Sequence, residues 1–456
     1  MTVVDGTLPT AGSSRSTRGA FALLGTLQAT LIFTLAAVAV PLPRIGHEFG
    51  LRREDLILLS AAYGLTFAGL LLFGGRLADR YGGRRALTAG LLLFGAASLA
   101  APFAPGYASL LAARFAQGAG AALIAPAAMT VLRTVFHSPA AYARAMATWG
   151  GLSILGATAG NLLSGVISAL LSWRWAFAVP LAVTAAALAL APRILPASAG
   201  AEKRGKRPAL DLPGALLATA GLALASYGLV LTDARPWASG RVLGPLAAGA
   251  VLLAVFVGVE RRARDPLLPP RFLLDGRRGL GLAATALTAA GTATVFVLFS
   301  LHLQDGRGWS ALRTSAAFVP FAVALIASSR VAGRLVGRYG AAVVTGVGLV
   351  TGAVGLVLLA LFGLDAGVPY AYGALPGFVL LAAGAAASFT GAAVLATARV
   401  PAERTGLAGG VHNTAMETGP TVVFALVLAV GGDAASLAAT AALFGTTAVA
   451  SRLARS

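Results

Sequence analysis

Gly75-Arg-Leu-Ala-Asp-Arg-Tyr-Gly82 recurs as Gly333-Arg-Leu-Val-Gly-Arg-Tyr-Gly340, with six of eight positions identical and the copies 258 residues apart. Each copy leaves one long apolar run and enters another. A repeated basic turn at equivalent helix connections is the mark of a membrane carrier built from two related halves. Gly75 and Gly82 permit a tight turn. Arg80 and Arg84 put positive charge on it, as Arg334 and Arg338 do between Gly333 and Gly340. Asp79 is free to cap the following segment or pair with a nearby Arg, a contact that would break and reform as the halves rock. The second copy has Gly337 at that position, so the latch is expected to be asymmetric.

Working outward, the chain of 456 residues is 57% hydrophobic and only 11% charged. A soluble domain could not hide that much apolar surface. Runs of about 20 apolar residues suit helices that cross a bilayer. Fourteen such spans are read at 19–42, 56–76, 85–104, 107–132, 144–170, 175–192, 212–232, 243–260, 279–303, 313–334, 341–362, 370–398, 406–430 and 435–451. The fold class is therefore all-α polytopic. A disordered N-terminus (1–18) precedes a six-helix bundle (19–192). Linkers with two additional helices (193–278) lead to a second six-helix bundle (279–456).

The net charge of +19 first suggests nucleic acid, but its distribution points elsewhere. With both termini cytoplasmic, cytoplasmic segments and span ends carry 26 of the 35 Lys and Arg, the outer side 8, and Arg114 alone lies deep inside a span. That is the positive-inside pattern of a multi-pass protein of the inner (plasma) membrane, and anionic headgroups are the expected partner of those arginines. The basic runs Glu202–Arg207 and Arg261–Arg264, with Arg277 and Arg278, read as orientation signals and solvated linkers. The absence of cysteine excludes thiol and disulfide chemistry, and four scattered histidines offer no metal-ligand spacing. There is no phosphate-binding Gly-rich loop, so neither ATP nor another cofactor is expected, and a proton gradient is the energy source that fits.

Among sixteen acids, Glu417 alone falls deep inside a span, roughly 17 Å from its start. An ionised group there costs on the order of 3 kcal/mol unless paired or hydrated, so it reads as a proton carrier. Asn413 shares its face at i−4, whereas His412 lies about 140° around the helix. Arg114 needs an acceptor, and Glu417, helix-end carbonyls or solute could each serve. Gln117 lies on the face of Arg114. Span 5 carries Gly156, Gly160, Ser164 and Gly165, a close-packing face. Gln28 and Asn161 are the polar groups expected to reach a central cavity, with Thr34 beside them.

These motifs together resemble the major facilitator superfamily, and within it the fourteen-helix drug:proton antiporters. Gly75, Leu77, Ala78, Asp79, Arg80, Gly82 and Arg84 match the loop between helices 2 and 3, and Arg114, Gln117, Gly118 and Gly120 match helix 4. Trp149-Gly150, Ser172–Trp175, Asp211 to Gly214, Glu260–Arg262, Gly308–Ser310 and Pro401–Arg404 extend the resemblance along nearly the whole chain. It implies a proton-coupling role for Arg114 and Gln117 and alternating access around a midplane site. There are two departures. Thr34 stands where the family has a helix 1 acid. In Gly156–Gly165, Asn161 replaces a proline and Ser164 a glycine.

The expectation is a monomeric secondary transporter, not an enzyme, that exports hydrophobic or amphipathic molecules such as drugs or secondary metabolites against protons. Glu417 and Arg114 would couple the proton. Gln28, Thr34, Gln117, Asn161 and Asn413 would line the cavity. An importer or facilitator of the same fold is the alternative, favoured by Thr34 and Asn161. An intramembrane enzyme or a sensor is disfavoured.

Overall fold

The computed structural model describes residues 11–38, 41–136, 138–196, 211–233, 235–263, 266, 268, 272, 275–309, 311–398, 400, 405–428 and 433–453. The run Glu202–Arg207, the motif Pro401–Arg404 and residues 1–10 lie outside them, as do the side chains of Asn161 and Gly165.

The described residues are helical throughout. The N-terminal half holds α1 (Ala11–Ala36), a short α2 (Leu42–Phe49), α3 (Arg53–Tyr81), α4 (Gly83–Ala100), α5 (Tyr107–Val135), α6 (Pro139–Leu170) and α7 (Ala178–Ile194). An extra hairpin follows, α8 (Leu212–Val230) and α9 (Gly240–Arg262). The C-terminal half holds α10 (Gly276–Leu301), short α11 (Ala311–Ala317), α12 (Val319–Tyr339), α13 (Ala341–Leu358), short α14 (Tyr370–Gly373), α15 (Leu375–Thr397), α16 (Thr405–Leu428) and α17 (Asp433–Leu453). Twelve candidate spans among the described residues are long and apolar enough to cross a bilayer. The α6 and α16 helices are two further long ones, of 32 and 24 residues.

Two separate apolar cores form, one in each half. Leu24, Tyr63, Phe67, Phe94 and Leu132 anchor the first, and Phe299, Phe321, Phe378 and Phe444 the second. Outside them, Leu92, Leu170, Val251 and Val331 point away from the protein. Such an apolar exterior is stable only against hydrocarbon.

The boundaries shift where proline intervenes. The first span was expected to reach residue 42, but α1 ends at Ala36 and α2 begins after Pro41. Proline has no N–H to give and disfavours helix in the residue before it. Likewise α12 starts only at Val319, with Pro320 in its first turn, and α15 at Leu375, with Pro376 in its own. At the N-terminus, α1 starts at Ala11 rather than near residue 19, and Arg18 on it is exposed.

The duplicated segments occupy matching corners. In each, the final glycine carries the turn: Gly82 has φ 89° and Gly340 φ 86°. Each donates its N–H back into the preceding helix, to Ala78 O (2.9 Å) and Val336 O (3.0 Å). A side chain in that backbone region would be strained. Gly75 makes no turn; it lies inside α3, and its neighbour Gly74 lets α5 approach, since a Cβ there would sit 2.0 Å from Ala122 O. Arg80 and Arg338 lie over Tyr81 and Tyr339, with guanidinium–ring distances of 5.5 and 5.2 Å. The end of the bundle bearing these turns is called the basic end below.

At the far end, one carboxylate ties three connections together. Glu48 of α2 accepts from Trp173 Nε1 (2.7 Å), Arg174 Nη1 (3.1 Å) and Arg174 Nη2 (2.5 Å), while Arg174 Nε donates to Pro102 O (3.0 Å). The Arg174 bond, and after it the Trp173 bond, hold the Glu48 carboxyl below its usual range. A lowered native value means that the clamp contributes fully above the ordinary carboxylate range and is lost as pH falls through the lowered value. Because the pair is half-exposed, Glu48→Gln is expected to cost less than about 1 kcal/mol. Trp173 fluorescence, followed during acid titration, checks this: the acid transition should disappear in the variant.

Candidate functional site

Four helices of the N-terminal half converge on one buried guanidinium. Arg114 of α5 is fully buried. Its Nη1 donates to the backbone oxygen of Thr34 on α1 (3.1 Å) and to Gln117 Oε1 (3.1 Å). Gln117 Nε2 donates to Ser98 Oγ on α4 (2.9 Å). The guanidinium lies 4.9 Å over the ring of Tyr63 on α3, whose hydroxyl donates to Leu31 O (2.9 Å). Arg114 Nε and Nη2 have no hydrogen-bond acceptor among the described residues. Buried donors left open in this way are costly, and they invite an acceptor that comes and goes.

The helix α16 stands between the halves, packed on α3, α5 and α10. Its glycines let backbones touch. A Cβ at Gly410 would lie 2.7 Å from Leu71 O of α3, and one at Gly419 would lie 2.5 Å from Ala286 O of α10. Asn413 faces the first half, donating to Gly409 O (2.9 Å) and to Met129 Sδ of α5 (3.0 Å), with its Oδ1 open. His412 faces the second half, with Nδ1 3.5 Å from Thr285 Oγ1 of α10. One turn above Asn413, Glu417 is partly exposed, and no described residue hydrogen-bonds its carboxyl. Arg114 and Glu417 both act electrostatically on Tyr63.

The halves close on each other toward the basic end. Asp79 Oδ2 accepts the N–H of Leu407 (2.8 Å) in the first turn of α16, and Tyr142 of α6 bonds Thr397 of α15. Free N–H groups and the positive helix end make that first turn a natural seat for a carboxylate. The latch therefore crosses between halves rather than capping the segment that follows Asp79. Asp79→Ala is expected to remove about 1 kcal/mol of closure, roughly a fivefold shift toward the state open at the basic end. Spin labels on cysteines introduced at the basic ends of α3 and α16 would show that shift as a longer distance population.

The family model described as Major Facilitator Superfamily matches residues 22–423. The chain belongs to the Major Facilitator Superfamily. Among its relatives are the cephamycin export protein CmcT of Amycolatopsis lactamdurans, 38% identical over 96% of this chain and 90% of that one. The puromycin resistance protein pur8 of Streptomyces alboniger is 34% identical, covering 90% of this chain and 82% of its own length. Two solved structures share the fold. The human organic anion transporter MFSD10 has a TM-score of 0.68 at 18% identity, covering 97% of this chain and all of that one. The proton:xylose symporter XylE has a TM-score of 0.67 at 14% identity, covering 96% and 95%. The protein is thus a multi-pass membrane transporter of small molecules, not an enzyme.

Within this superfamily fold the sequence-derived residues fall into three groups. Arg114, Gln117 and Thr34 form one network, but Thr34 contributes its backbone oxygen, and its hydroxyl bonds back to Thr30 O (2.8 Å). Thr34 is buried, and the group it turns toward Arg114 where the family has an acid is a carbonyl dipole. Gln28 reaches α6, donating to Ser153 Oγ (3.1 Å), and keeps Oε1 open. Gly156 and Gly160 approach the α1 backbone at Ala29 and Phe33, and Ser164 is fully buried. The Arg114–Glu417 ion pair considered above is not formed; Arg114 donates to Thr34 O and Gln117 Oε1 instead. Sequence reasoning also missed Tyr63, Ser98, Met129 and Leu407. A tyrosine inside an apolar helix was a usable signal for Tyr63, because a buried phenol must find a partner. The Leu407 backbone N–H carries no signal at all.

The linker arginines also differ from expectation. Arg278 is no solvated charge: it is buried, donates to Phe272 O (2.7 Å) and Ala398 O (3.4 Å), and stacks 3.9 Å from the Phe272 ring. It pins the start of α10 to the end of α15.

Proposed function

We propose that this protein exports hydrophobic or amphipathic small molecules, drugs or secondary metabolites, in exchange for protons. The observation that carries this reading is the place of Glu417, an acid without a described hydrogen-bond partner, midway along the helix that joins the two halves. The relatives named for cephamycin export and puromycin resistance support the solute class. In this reading the protein sits in the inner membrane as a monomer with fourteen spans, counting α6 and α16. The basic end and both termini face the cytoplasm, where the arginines meet anionic lipid.

The cycle follows from charge. Protonated Glu417 is neutral and compatible with a closed, dry cleft. Deprotonated, it adds a negative charge that acts on Tyr63, as Arg114 also does, and favours a wetter state. Proton and solute then act on one conformational equilibrium and are linked through it. Gln28 and Asn413, each with an open carbonyl oxygen, are the donor-seeking groups that would orient a solute; Asn161 joins them on the sequence reading.

The test is uptake into inverted vesicles of the purified protein, with a panel of lipophilic antibiotics and an imposed pH gradient. Accumulation that vanishes when the gradient is collapsed supports proton-driven export. Equilibration that ignores the gradient supports the facilitator reading instead, which Thr34 at the helix 1 position favours.

A further inference from the structure

The basic end of the extra hairpin holds two carboxyl groups that the transport core does not use. Asp211 caps α8, its Oδ1 accepting the N–H of Gly214 (3.1 Å). Glu260, in the last turn of α9, is 2% exposed. Its Oε2 accepts the N–H of Leu268 (2.8 Å), while its Oε1 is buried with no donor among the described residues. Glu260 Oε1 and Asp211 Oδ2 both border one bare backbone position. A Cβ on Gly214 would stand 2.4 Å from Glu260 Oε1 and 2.6 Å from Asp211 Oδ2. The two side chains are within hydrogen-bond reach.

Local geometry is bent to produce this meeting. Asp211 is the one non-glycine among the described residues with positive φ, at 37°. Such a conformation is strained and persists where surrounding contacts enforce it. A carboxylate cannot hydrogen-bond a carboxylate, because neither has a donor. A proton between them supplies that donor. The charges that face Glu260 agree: Asp211 comes from α8 and Arg76, itself buried, from α3. Among the described residues, one proton on the two acids leaves one negative charge against the Arg76 cation. Two carboxylates would leave an uncompensated buried charge. The α8 N-terminus favours the anion on Asp211, so the proton belongs on Glu260 Oε1, donated to Asp211 Oδ2.

We propose that Asp211 and Glu260 form a proton-binding site, distinct from Glu417, that clamps the extra hairpin at its basic end. The hairpin is also fastened to α3 higher up, where Thr219 Oγ1 donates to Gly69 O (2.9 Å). Since α3 runs on through Arg76 to Asp79, the proton-held clamp and the latch share one helix. This site does not rest on the export reading and stands or falls without it.

Infrared difference spectra of the protein in lipid vesicles, between about pH 6 and about pH 9, test the site. Wild type should lose the band of a hydrogen-bonded protonated carboxyl. Asp211→Asn keeps the helix cap and tolerates the positive φ, and Glu260→Gln preserves shape and supplies a permanent donor. Each alone should remove that band, whereas Glu417→Gln should leave it in place. Thermal unfolding gives a second reading: wild type should melt at lower temperature as the pH is raised, and Glu260→Gln should not show that loss. A band that survives both variants overturns the proposal. So does a carboxylate signal that responds to sodium ions at constant pH, which would make the occupant a metal cation.

Discussion

Glu417→Gln is expected to abolish uphill transport while downhill exchange of the same solute continues. The amide copies the shape of a protonated carboxyl but never ionises, so the variant keeps the neutral state and loses the alternation. In wild type, each pH unit across the membrane can sustain about a tenfold solute ratio per proton exchanged. In the variant that ratio should fall to one whatever gradient is imposed. The geometry supports a specific loss. No described residue hydrogen-bonds the carboxyl, so the substitution breaks no described bond, and the latch at Leu407 and the Asn413–Met129 contact lie nearer the basic end of the same helix. Gradient-driven accumulation, set beside counterflow with no gradient, makes the measurement. A variant that still concentrates solute would show that Glu417 is not the coupling group and turn attention to Arg114. A variant that loses counterflow as well would show that Glu417 binds solute or supports structure.

The second large effect is structural. Gly156→Leu is expected to prevent the N-terminal half from assembling. A Cβ at Gly156 would lie 2.2 Å from Ala29 O and 2.9 Å from Ala29 C and Cα, so the obstacle is backbone and cannot rotate away. Relief requires α1 and α6 to separate, and separation breaks the Gln28–Ser153 bond as well. Overpacking of this kind costs at least about 1–3 kcal/mol in a well-packed interior, and small residues are what allow membrane helices to pack at all. A matched control is Gly258→Leu on α9, where nothing lies within 4 Å of the added Cβ. That change should be neutral or stabilise by about 0.5–1 kcal/mol through helix propensity. Melting temperature and the monodisperse fraction in detergent separate the two: a sharp fall for Gly156→Leu, no fall for Gly258→Leu. Equal behaviour would mean that the α1–α6 contact carries no weight.

Much of the architecture was legible because a bilayer imposes it residue by residue. An apolar run of sufficient length must close its own backbone hydrogen bonds, so span and helix coincide. The repeat at Gly75–Gly82 and Gly333–Gly340 predicted matching corners, and the positive φ of Gly82 and Gly340 shows why the final glycine recurs. Helix ends near Pro41, Pro320 and Pro376 were misjudged, since hydropathy continues across a proline while the helix does not. Arg278 was taken for a solvated linker charge, yet it is buried among carbonyls that the sequence could not have nominated.

The sequence by itself determined a helical membrane transporter of two related halves, the singular positions of Glu417 and Arg114, and the glycine face of α6. These follow from composition, period and rarity, which are local properties of the chain. Tertiary structure alone decided the partners. Thr34 serves Arg114 through its carbonyl, Asp79 reaches Leu407 across 328 residues, and Glu260 meets Asp211 over Gly214. In each case a backbone atom or a bare Cα completes the contact. Every residue has a backbone, so no pattern of side chains along the chain can mark which one will be used.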